Sequence, residues 1–193
     1  MAYDEDLMYI MHTARVLLGT KEATAPTISD ITTFVTGGYE TPPTGFDDLG
    51  NTDIDTSITF SQDDATSETR GSLQNEKIRE IITQAAVEYF DVNSLQPKDS
   101  DVMSLYYGGG TVTSGQFAAP RSTAITATEK SALLVFVDGT DVFPAYMPKV
   151  SIKRNGVMTF PKDNWVQVPL RATVLDPSTG SPTVWLSSDF TAA

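Results

Sequence analysis

Two stretches of strict alternation most constrain what this chain can fold into. Between Asp53 and Ser61, Ile54, Ile58 and Phe60 share one parity while Asp55, Ser57 and Thr59 share the other. Between Trp165 and Val174, apolar residues recur at Val166, Val168, Leu170, Ala172 and Val174. A period of two belongs to a strand with one face in a core and one in water, because successive side chains point to opposite faces. Further runs agree. Ala14–Leu18 is stopped by Gly19, and Leu133–Val137 is closed by Asp138-Gly139. Tyr146–Lys153 runs into Asn155-Gly156 and then Val157–Phe160, which reads as a hairpin because Asn-Gly suits a turn with two positive φ angles. Thr183–Leu186 follows a Pro-Ser-Thr-Gly-Ser-Pro turn. About seven to nine strands in 193 residues predict a mainly β chain, a β-sandwich or barrel, folded as a single domain over 1–193.

One short helix is expected at about 99–107. Asp99 or Ser100 can cap it, Val102, Leu105 and Tyr106 fall at helical spacing, and Gly108 stands where a left-handed residue ends a helix. Residues 77–89 are ambiguous on periodicity. Ile78, Ile81, Ile82, Ala85 and Tyr89 fit a helical stripe, yet as a strand the same stretch puts Glu80, Gln84 and Glu88 on one face. Residues 20–52 show little apolar periodicity and hold Gly37-Gly38, Pro42-Pro43, Gly45 and Gly50-Asn51, so they read as a long extended loop. A segment of that composition is expected to order against another molecule.

The charge is uneven. Residues 1–70 carry 13 acids and 3 bases, whereas 71–193 carry 12 and 10, for a net charge of −12. Such a chain has few cations with which to displace counterions from DNA or an anionic membrane. The longest apolar run, Ala132–Val137, is far short of the ~20 residues of a membrane span, and the acidic N-terminus lacks a signal peptide's basic start, so a soluble chain beginning at Met1 or Ala2 is expected. Without cysteine there is no disulfide, thiolate metal site or cysteine nucleophile. The single histidine, His12, has no nucleophile elbow or metal box around it. Asp47-Asp48, Asp53/Asp55 and Asp63-Asp64 miss the offsets of a calcium loop, and Gly108–Gly110 end a helix instead of opening one. No catalytic residue, metal or cofactor is expected; assembly is the better expectation. A monomeric β-sandwich binding carbohydrate or calcium is the alternative, with Trp165 or Trp185 exposed as a platform.

The order of segments resembles the major tail tube proteins of long-tailed bacteriophages with noncontractile tails, especially those of actinobacterial hosts. The resemblance covers about residues 13–175. It is carried by Ala14-Arg15-Val16-Leu17-Leu18-Gly19, Asp48-Leu49-Gly50-Asn51 ahead of Ile54–Phe60, and Glu68-Thr69-Arg70-Gly71-Ser72-Leu73-Gln74-Asn75. It continues with Asp99–Asp101 leading to Leu105-Tyr106-Tyr107-Gly108-Gly109, Leu133–Gly139, and Pro148–Ile152 paired with Val157–Phe160. The resemblance implies a virion protein, assembled in the host cytoplasm, that forms hexameric rings stacked into a tube, the conduit for genome ejection. It implies a strand over 77–89, a β-barrel wall, and Asp55, Ser57, Thr59, Glu80, Gln84 and Glu88 as lumen-lining residues. It implies contacts between subunits through an N-terminal arm (1–12), the loop 20–52 with Gly37, Gly38, Tyr39, Pro42, Pro43 and Phe46, and a C-terminal arm (176–193). Its implied partners are further copies of the chain, a tape measure protein in the lumen, terminator and tip proteins at the ends, and DNA that passes without tight binding. No membrane insertion is implied.

Overall fold

The computed structural model describes residues 8–53, 58–72, 75–121 and 128–190. Among them the strands are β1 (Thr13–Thr20), β2 (Phe46–Asp48), β3 (Thr59–Asp63), β4 (Thr66–Ser72), β5 (Asn75–Gln84), β6 (Val87–Ser94), β7 (Thr111–Thr113), β8 (Gln116–Ala118), β9 (Thr128–Asp138), β10 (Asp141–Arg154), β11 (Val168–Val174) and β12 (Val184–Trp185). The helices are α1 (Ile28–Thr36) and α2 (Ser100–Tyr107). One antiparallel sheet carries the fold, in the order β2-β1-β9-β10-β11-β6-β3, with β12 added beside β10. The chain is mainly β, as the alternating stretches predict.

The apolar run at Leu133–Val137 is explained by what lies on each side of it. Ala132, Leu133, Leu134 and Val135 are fully buried, because the sheet is covered on both faces where β9 crosses it. On one face Val16, Leu134, Met147, Phe90, Val168, Leu170 and Ala172 pack with Val102, Leu105 and Tyr106 of α2. On the other, Leu17, Leu133, Val135 and Tyr146 pack with Ile31, Phe34 and Val35 of α1 and with Phe46. The alternation at Val168–Val174 is kept residue by residue, with Val168, Leu170, Ala172 and Val174 all buried.

Helix α2 begins and ends where the sequence predicts. The Asp99 side chain accepts from the Asp101 N–H at 2.7 Å, and Gly108 takes the left-handed conformation at φ 69°. Residues 77–89 are strand, falling in β5 and β6 with a break at Ala85-Ala86. The local helical stripe yields because β3 and β4 supply cross-strand partners along this stretch.

Two expectations are corrected. Residues 20–52 are not one extended loop, since α1 and β2 lie within them and Ile31, Phe34, Phe46 and Leu49 are buried. A capping box starts α1: Thr27 Oγ1 accepts from the Asp30 N–H, and the Asp30 carboxylate accepts from the Thr27 N–H at 3.1 Å. The Thr27 hydroxyl, donating to the Asp30 carboxylate at 2.7 Å, and then the Thr27 N–H hold the Asp30 carboxyl below its ordinary pKa. A nine-residue helix is marginal alone, so the burial of Ile31 and Phe34, worth roughly 1.5–3 kcal/mol each, holds it in place. The second correction concerns Val157–Phe160, which is not a strand. The partner of β10 is β11, from Val150↔Val174 to Arg154↔Leu170, and only an isolated bridge joins Thr159 to Gln167.

No closed barrel is present among the described residues; what exists is a near closure. The segment from Phe46 to Asp53 pairs with β1 at one end and bridges β6 at the other, through Thr52 opposite Ser94. One stretch of chain thereby ties together two distant parts of the sheet.

Candidate assembly surfaces

The long arm made by β3 to β6 is the least covered part of the fold. In its inner half β3 pairs with β6, from Thr59↔Asp91 to Asp63↔Val87. In its outer half β4 pairs, among the described residues, only with β5, as a separate two-stranded sheet. Every side chain from Gln62 to Arg70 is exposed. A seven-residue strand extends about 20 Å, and a two-stranded ribbon without a third layer is marginal in water.

The register sorts the ribbon into two faces. Ser67, Thr69, Glu80 and Ile82 share one, with Ser67 Oγ donating to the Glu80 carboxylate. Glu68, Arg70, Arg79 and Ile81 share the other, where Arg70 lies 3.3 Å from Glu68. A register shift separates the pairs Thr66↔Gln84 and Ser67↔Ile82, so Gln84 does not continue the row of Glu80.

The residues expected to line a lumen are therefore not on one surface. Glu80 is on the ribbon. Glu88 stands in β6 opposite Gln62, on the side that carries Phe90, and accepts from Thr183 Oγ1 at 3.2 Å. Thr59 pairs with Asp91 and so belongs to the opposite face. Asp55 and Ser57 lie outside the described residues. Among the expected interface residues, Gly37 and Gly38 are an exposed turn after α1, and Tyr39 turns back with φ 65° beneath the Arg15 guanidinium, 4.6 Å from the ring centre. Pro43 and Phe46 are buried and Pro42 is half-buried, so these three pack within the subunit.

Other uncovered apolar side chains include Val112 in β7 and two groups elsewhere. Val157, Phe160 and Trp165 are each more than 70% exposed in the connection between β10 and β11. Near the termini, Tyr9 and Phe190 flank Phe143, which stacks on Trp185 at 5.0 Å. Burial, with Asp141 and Asp138 nearby, pushes the Tyr9 phenol up to about 12. Sequence reasoning missed this cluster because its members come from both ends of the chain and from β10, with no shared local pattern.

His12 is exposed and its Nδ1 lies 2.8 Å from Asp138, an ion pair when protonated. No group of three metal-ligating side chains occurs among the described residues, and no helix there is long and apolar enough to cross a membrane.

The family described as phage tail tube protein matches this chain over residues 1–193. The major tail protein Gp23 of Mycobacterium phage L5 is 29% identical over 192 residues, covering 98% of this chain and 95% of that protein. Its counterpart in Mycobacterium phage D29 is 28% identical over the same shares. A sheet with an uncovered ribbon and a full-length family match converge: the chain belongs to the phage tail tube protein family and is a structural component of the virion tail rather than an enzyme.

Proposed function

We propose that copies of this chain close into hexameric rings and that the rings stack into the tail tube through which genomic DNA leaves. The observation that carries this reading is the β4–β5 ribbon, a two-stranded sheet whose side chains at 66–70 are exposed and whose outer edges pair with no other strand among the described residues. Such edges attract indiscriminate pairing unless a defined neighbour covers them. A patch on one copy that meets a different patch on the next propagates, giving a ring where the rotation closes and a stack where it does not. The number six comes from the family resemblance. The exposed turn at Gly37-Gly38 and the segments 1–12 and 176–193 are further contacts in this reading.

The net charge of −12 supports a conduit. A wall presenting carboxylates repels phosphate and leaves few cations to hold the DNA in passage. The Glu80 face of the ribbon is the part of the proposed lining that the fold leaves free, and a tape measure protein occupies that lumen during assembly. Terminator and tip proteins cap the ends.

The test replaces residues 66–84 by a short turn. The unmodified chain is expected to form rings or tubes as concentration rises in a sedimentation series, and the shortened chain to stay a folded monomer, since neither core includes a ribbon residue among those described. An unmodified chain that stays monomeric at every concentration and salt, or a shortened one that polymerises equally well, contradicts the proposal.

A further inference from the structure

We infer that the arginine face of the ribbon docks on carboxylates of a second copy of this chain. The inference rests on the tube reading and names the surfaces that meet. Arg70 and Arg79 are direct cross-strand partners. Like charges so placed repel, and a carboxylate from outside the ribbon relieves that repulsion. Glu68 reaches Arg70 at 3.3 Å, with both side chains more than half exposed. Arg79 is exposed and forms no ion pair with any described residue. A guanidinium is the cation best suited to a carboxylate in a partly dry interface, through its planar set of donors.

The rest of the molecule offers the complement. The chain carries 25 acids against 13 bases, so carboxylates outnumber cations as partners for the two arginines on another copy. One place combines exposed carboxylates with a hollow. Asp47 in β2 and Asp99 and Asp101 at the start of α2 rim a cavity of about 180 Å³, with Leu49 and Leu105 in its lining. These three carboxylates are exposed and pair with no base among the described residues. Asp48 beside them is held by Arg15 at 3.5 Å, and Lys130 is the base on the rim. Ribbon and cavity belong to separate parts of one subunit, so the contact is head to tail and leaves each copy with one ribbon to give and one cavity to fill. The face bearing Glu80 stays turned away from it.

Three variants test this: Arg70→Glu with Arg79→Glu, Asp47→Arg with Asp101→Arg, and all four together. Every position is exposed, and circular dichroism checks that each chain remains folded. Either double variant alone is expected to raise the concentration needed for assembly by about tenfold or more. The fourfold variant is expected to assemble again near the original concentration. Assembly of the arginine variant like the unmodified chain, or a fourfold variant no better than its parents, overturns the inference and leaves the tube reading standing. An arginine variant that assembles normally but loses DNA from its tubes also overturns it, by assigning the face to phosphate. An unmodified chain that never assembles removes the tube reading itself.

Discussion

Gly19 shows how closely the second core is built. A Cβ there would lie 2.6 Å from Ser131 Oγ and 2.7 Å from the Gly45 carbonyl oxygen, where β1 passes the turn into β2. Backbone cannot step aside, so Gly19→Ala is expected to cost about 1–3 kcal/mol, read as a fall in denaturation midpoint. Arg171 ties β11 to β6 through two bonds to Asp91, at 2.7 and 2.8 Å, and covers the Tyr89 ring at 4.0 Å. Arg171→Ala is expected to cost about 1–2 kcal/mol, more than an ordinary surface pair, because the bidentate geometry and the ring contact are lost together. Tyr9 gives a pH signature. Its phenol is raised from 10.0 to about 12, so the folded state favours the neutral form and the contribution is intact below pH 10. As pH rises from about 10 to 12 that contribution is lost. Absorbance titration is expected to show late-ionising tyrosines, since burial also raises Tyr146, and Asp141→Asn to lower the midpoint of the Tyr9 component. None of these partners is near in sequence, which is why composition and periodicity do not reveal them.

At the level of elements, the sequence is most readable where one local signal acts alone. The alternation at Val168–Val174 survives because β11 is buried on one face, and the cap and glycine of α2 sit where its apolar spacing places them. Ser114-Gly115, with φ 48° and 78°, turns the small β7–β8 hairpin, a turn dipeptide readable in the sequence but passed over there. Helix α1 was hidden by composition. Its sequence ISDITTFVT is rich in β-branched residues that favour helix weakly, although Thr27 and Asp30 form a capping box and Ile31, Phe34 and Val35 have helical spacing. Phe34→Ala is expected to destabilise by about 3–5 kcal/mol, and Thr27→Ala by about 1 kcal/mol, in chemical denaturation. A Phe34 variant of unchanged stability would return 20–52 to the role of a dispensable arm. Asn155-Gly156 misleads for a different reason. The turn signal is genuine, with Gly156 at φ 134°, but Val157–Phe160 finds no sheet edge to join and the chain travels on to β11.

For the whole molecule, acidity was legible as a property of the chain but not as a map. The charge balance identifies a surface unsuited to gripping DNA, whereas the division of the ribbon into a Glu80 face and an Arg70–Arg79 face emerges only from cross-strand register. Parity alone would place Glu80, Gln84 and Glu88 in one row, and the register shift beside Gln84 breaks it. In the proposed tube, Glu80→Lys is expected to leave assembly intact while making DNA adhere to the wall, with retention falling as salt rises because the attraction is screened within about 8 Å at physiological ionic strength. The central claim, that the uncovered ribbon becomes a contact between copies in a hollow polymer, is tested most directly by cryo-electron microscopy of the assembled protein at side-chain resolution. The account predicts six subunits per ring around an open channel, with β4 and β5 covered by a neighbouring copy and Glu80 facing the channel. A polymer whose ribbon stays bare on its outer surface, or a particle with no channel, would contradict it.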